Sequence, residues 1–170
     1  MSKNKEKITI LGIDPGTRVT GYAVVETNFS TYSSLDYGSI CPPSHLPLAK
    51  RYLIIHRSIE SLLQKHAIDA LAIENQYAGK NFQSILKLGM AKGVIILSAT
   101  KLNIPTYEYS PAKAKLAVVG NGRASKEQVS RMVKVLFGLS DIPRPADAAD
   151  ALALAFCHLN HIKYQRMLYV

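Results

Sequence analysis

Apolar and polar positions change their period several times along the chain. Residues 8–14 (ITILGID) and 19–26 (VTGYAVVE) are β-rich, with Asp-Pro-Gly-Thr between them. That tetrapeptide has the chemistry of a type II turn, so the two runs predict an antiparallel hairpin. Residues 31–40 (TYSSLDYGSI) predict a third strand, and Pro42, Pro43 and Pro47 punctuate the loop that follows. Over 47–66, Leu48, Tyr52, Ile55, Ile59, Leu62 and Leu63 recur at helical steps. IDALAIE, 68–74, is a short apolar run after that helix, which implies a crossover to a parallel neighbour. Residues 82–102 predict a second helix with Ile85, Leu88, Val94 and Leu97 on its apolar side. Gly89, Ala91 and Gly93 thin it, which suits close packing on the domain or on a second subunit. IPTYEYS, 104–110, predicts the last strand. Ser110-Pro111 then caps a short helix, and GNGRA, 120–124, is a connector. Ser125 and Gln128 have capping-box spacing and open a helix to about Phe137. Pro143 and Pro145 precede a final helix over 146–161. The order predicts an α/β protein, a mixed five-stranded sheet flanked by helices in one domain over 1–170. Residues 1–7 and 162–170 read as flexible ends.

Composition narrows the partners. Lys and Arg number 21 against 12 acids, for a net charge of +9, which favours a polyanion such as nucleic acid. Cys41 and Cys157 form no CxxC or zinc spacing and read as buried free thiols of a reducing compartment. The charged start MSKNKEK leads into a strand rather than a secretory core, and Lys92 and Lys101 bracket GVIILSAT, the best membrane candidate. A cytoplasmic protein without a membrane partner is the expectation.

Four of the acids end apolar runs or open a helix: Asp14 after ILGI, Glu74 after ALAI, and Asp147 and Asp150 in PADAADALALAF. Alone, each has an ordinary explanation as a turn residue, a strand end or a partner of the helix dipole. Together they are more informative. Asp147 and Asp150 are three apart and share a helix face. With the first and fourth strands adjacent and parallel, Asp14 and Glu74 share one sheet edge. Carboxylates gathered this way resist joint ionisation, and a divalent cation removes that cost. Oxygen-only ligation suits Mg²⁺ or Mn²⁺. Acids on a basic protein then divide the work. Lys and Arg hold a phosphate backbone, while two metals about 4 Å apart act at the scissile phosphate.

Four stretches carry a resemblance: ILGIDPGTRVTGYAVVE, AIENQYAGKNFQSILKLGMAKGV, YSPAKAKLAVVGNGRASKEQV and PADAADALALAFCH. In order and spacing the chain resembles RuvC, the bacterial Holliday junction resolvase family, over nearly its whole length. The resemblance implies an RNase H-like fold, a homodimer, two Mg²⁺ per subunit with Mn²⁺ as substitute, and paired symmetric nicks in four-way junction DNA. It also implies the branch-migration complex RuvA–RuvB as a partner. The family's four catalytic, metal-binding acids fall on Asp14, Glu74, Asp147 and Asp150. Its base-stacking aromatic falls on Tyr77, and stacking tolerates either a Tyr or a Phe ring. Its DNA-contacting lysines fall on Lys115, placed near the scissile phosphate, and Lys126, placed on the backbone. Lys80, Lys87, Arg123 and Arg131 are further phosphate contacts to expect.

Other readings fit less of the chain. Sugar kinases and actin-like ATPases open with a similar strand and Asp-x-Gly-Thr turn, but need two such domains, and this chain is too short. The smaller YqgF group shares the first motif, whereas ADAAD and AIENQY favour RuvC. An inert basic binding module has no use for clustered carboxylates, which repel phosphates. His158 and His161 read as neighbours at the end of the last helix, suited to its C-terminus.

Overall fold

A computed structural model describes residues 7–75 and 81–168. Five strands, β1 (Ile8–Asp14), β2 (Thr20–Thr27), β3 (Tyr32–Ile40), β4 (Ala70–Glu74) and β5 (Thr106–Tyr109), form one sheet in the order β3-β2-β1-β4-β5. β1 pairs antiparallel with β2 and parallel with β4, so the expected hairpin and crossover are both present. The mixed sheet is flanked by α1 (Leu48–Lys65), α2 (Phe82–Thr100), α3 (Pro111–Val119), α4 (Lys126–Leu136) and α5 (Ala146–Leu168).

Strand alternation divides the core in two. Ile10, Ala23, Ala70 and Ala72 face α5, with α3 and α4 beyond it. Leu11, Ile13, Val24, Leu71 and Ile73 face α1 and α2. Small residues among those on the α5 side of the sheet let the helix lie very close. A Cβ built on Gly12 would fall 2.1 Å from the Ala151 carbonyl oxygen, and one on Gly21 would fall 2.1 Å from that of Asp147. No side chain fits at either position. These two glycines let backbone rest on backbone and bring the start of α5 to the end of β1.

Several expectations need correction. The β1–β2 connection is not a type II turn, since Gly16 lacks the positive φ that turn requires. It is a five-residue loop closed by the Thr20 hydroxyl, which donates to the Gly16 carbonyl oxygen at 2.7 Å. α5 continues to Leu168, so residues 162–168 are helical rather than a loose tail. His158 therefore lies in mid-helix, and it is buried. Cys157 is buried as expected, but Cys41 is exposed just past the edge strand. α2 faces the domain with Ala91, Ile95, Ser98 and Ala99, while Ile85 and Leu97 point outward. That helix is apolar around most of its circumference, and periodicity alone does not select the face that packs.

Candidate active site

Period-two alternation decides where the first two acids point. Ile10 and Gly12 of β1 face α5, so Asp14 does too; Ala70 and Ala72 of β4 do likewise, so Glu74 follows. Ile13 pairs with Ile73 in parallel register, so the acids that follow end adjacent strands side by side. Asp14 also pairs with Gly21 of β2, the glycine against which the Asp147 backbone rests. Asp147 thus arrives beside Asp14, and Asp150 lies one helical turn further along α5.

The electrostatics report the same convergence. The Asp14 carboxyl is pushed up to about 7, first by burial, then by the charges of Glu74, Asp150 and Asp147, with Lys126 acting in the opposite direction. Glu74 is buried, with 7% of its surface exposed. Lys126 opens α4 directly after its Ser125 cap, where the expected capping box with Gln128 is present. Its ammonium donates to Asp150 Oδ2 at 2.9 Å, and that pair together with the Asp14 and Asp147 charges raises the Lys126 pKa.

Lys126, expected on the DNA backbone, is therefore the ammonium at the carboxylates. Lys115 lies half-buried on α3 and has no ion pair among the described residues. Arg123 is exposed in the loop before α4. Tyr77 and Lys80 lie outside the described residues.

Among the described residues, no three His, Cys, Asp or Glu side chains already close on one point as a metal cage. By donor chemistry the four acids nevertheless fit an oxygen-loving divalent ion. They are all-oxygen and mutually repelling, and burial together with the charges of the other three holds a proton on Asp14 near neutrality. An ion held there would share Asp150 with the Lys126 ammonium.

A family model for the crossover junction endodeoxyribonuclease RuvC matches residues 10–158. The chain belongs to the RuvC family. RuvC of Protochlamydia amoebophila is 55% identical over 89% of this chain and 90% of its own length. RuvC of Halothermothrix orenii is 43% identical over 94% and 96%. Among solved structures, T. thermophilus RuvC in complex with Holliday junction substrate superposes with a TM-score of 0.88 at 31% identity, covering 93% of this chain and 96% of that one. This confirms the RNase H-like fold and makes the chain a RuvC-type crossover junction endodeoxyribonuclease.

Two features of the RuvC site were not recognised in sequence. Gly12 and Gly21 seat α5, and a glycine in an apolar strand is the signal that finds them. The other is Lys92 of α2, which reaches the end of β4 from the opposite face of the sheet.

Proposed function

We propose that the protein resolves four-way DNA junctions as a homodimer, nicking two strands of like polarity symmetrically to leave 5′-phosphate and 3′-hydroxyl ends. The observation that carries this reading is the convergence of Asp14, Glu74, Asp147 and Asp150 at one end of the sheet of a strongly basic RuvC-family chain. Two divalent ions, Mg²⁺ or Mn²⁺, held by these four carboxylates would supply an activated water and charge stabilisation at the leaving oxygen. The protein's own part is to hold the carboxylates in place. Gly21 seats Asp147 against Asp14, and burial fixes Glu74. Lys126 and Lys115 bind phosphate oxygens, with Lys126 exchanging its Asp150 partner for DNA. Arg123 and Lys80 extend the backbone contact, and Tyr77 stacks on a base near the crossover.

The subunit contact in this proposal is the outer face of α2. Leu86, Met90 and Leu97 are about half exposed there, and Cβ atoms on Gly89 and Gly93 would meet nothing within 4 Å. By length and composition α2 is also the one described helix apolar enough to cross a membrane. Lys92 within it is ion-paired to Glu108 of β5, which ties it to the domain. RuvA–RuvB as partner and the cytoplasm as site of action complete the proposal.

The deciding experiment is cleavage of a labelled mobile four-way junction with Mg²⁺, beside linear duplex of the same sequence and an Asp14→Asn control. Symmetric nicks confined to the junction and lost in the variant are expected. Junction binding without cleavage in either Mg²⁺ or Mn²⁺ overturns the reading.

A further inference from the structure

The four acids lie on the α5 face of the sheet. The opposite face of the same sheet end is held by one side chain of α2. Lys92 is mostly shielded, with 18% of its side chain exposed, and its ammonium donates to two acceptors. One is Asn75 Oδ1 at 3.0 Å, the other Glu108 Oε2 at 2.7 Å. Asn75 directly follows Glu74, and its own N–H donates to the Tyr109 carbonyl oxygen at 2.8 Å. Among the described residues, β5 holds the exit of β4 through the backbone and α2 holds it through Lys92. Alternation makes this arrangement possible, because Glu74 faces α5 and Asn75 faces α2.

We propose that Lys92 is a positioning residue for cleavage: through Asn75 it sets the end of β4, and with it the Glu74 carboxylate. An ion pair with Glu108 alone would only join α2 to β5. The additional bond to Asn75 reaches the residue beside a catalytic carboxylate, where a small displacement is costly to rate. Lys92 also stands two residues from Met90 and beside Gly93, on the helix whose outer face is the proposed subunit contact. Subunit pairing and the position of Glu74 therefore share one helix. This inference rests on the reading of Glu74 as a catalytic acid.

The test is a double-mutant cycle on the full-length protein with Lys92→Met, Asn75→Ala and the pair. Three quantities are measured for each: single-turnover junction cleavage, junction affinity, and melting temperature. Each single variant is expected to cleave about tenfold to hundredfold more slowly, with junction affinity within about twofold of wild type. The double variant is expected to be no slower than the worse single, because both changes remove the same contact. Lys92→Arg keeps a donor and should recover most of the rate. Asn75→Ala leaves the Lys92–Glu108 pair in place and serves if Lys92→Met folds poorly. Wild-type rates in both singles, or a rate loss that follows melting temperature with no recovery in Lys92→Arg, overturn the proposal. Glu74→Gln is run in parallel. If it cleaves normally, the reading of Glu74 itself has failed; if it is inactive while Lys92→Met and Asn75→Ala are normal, only this inference falls.

Discussion

Asp14 shows how one side chain trades stability for chemistry. Its folded pKa, near 7, lies above its ordinary value of 3.8, so the metal-free folded state holds the proton more tightly than the unfolded chain. The stability this contributes is present at low pH and is lost as pH rises from about 4 through about 7, on the order of a few kcal/mol. Asp14→Asn should therefore raise the melting temperature of chelator-treated protein near pH 8 while abolishing cleavage. Added Mg²⁺ should stabilise wild type and not the variant. Identical melting curves for the two proteins would contradict this account. His158 has the opposite sign. Burial, with the nearby His161, lowers its pKa from 6.5 to about 4, and its Nδ1 lies 2.7 Å from the Tyr109 hydroxyl. Its neutral form is the folded one. Stability is complete above about pH 6.5 and falls as pH drops towards 4, by on the order of 3 kcal/mol. The stability advantage of wild type over His158→Phe should shrink between pH 7 and 4.5; a constant gap would refute the assignment.

At the scale of elements, the approach of α5 to the sheet is the critical contact. Gly21→Ala places a methyl carbon on the Asp147 backbone, and neither strand nor helix backbone can yield cheaply. A destabilisation of about 3 kcal/mol or more is expected, at the upper end of overpacking costs. Chemical denaturation of Gly21→Ala measures it, and a loss below about 1 kcal/mol would show that α5 seats differently. Gly89 offers a contrast, since the same substitution there meets open space within the subunit. The helix propensity of Ala over Gly should then show as a gain of about 1 kcal/mol in the isolated fold.

For the whole molecule, charge and the outer face of α2 make separate predictions. Junction binding should weaken steeply as salt rises, because Lys and Arg on a +9 chain displace counterions from phosphates. An affinity flat from low to physiological salt would remove the basic surface from the argument. Leu86 and Met90 are exposed on α2 at a helical spacing of four. Wild type is expected to sediment as a dimer in analytical ultracentrifugation, and replacing both by Glu should yield a monomer with the melting curve of the fold intact. A variant that still sediments as a dimer would place the subunit contact elsewhere.

Much of this architecture is local, and so was legible in the chain. The apolar runs ITILGID and ALAIE, the Ser110 and Ser125 caps and the periodic face of α1 depend on residues close in sequence, and the structure keeps them all. The four acids were legible by their places at element ends and by family resemblance. The rest depended on contacts between distant segments. Which stripe of α2 faces inward depended on what α1 and β4 offered it, and the sequence of a helix apolar around most of its circumference does not choose among its apolar stripes. The fit of α5 against Gly12 and Gly21 joins residues more than a hundred positions apart. Lys126 at Asp150 and Lys92 at Asn75 are the same kind of fact. A lysine on a helix surface has many possible partners along a chain, and only the packed sheet and helices bring one of them within reach.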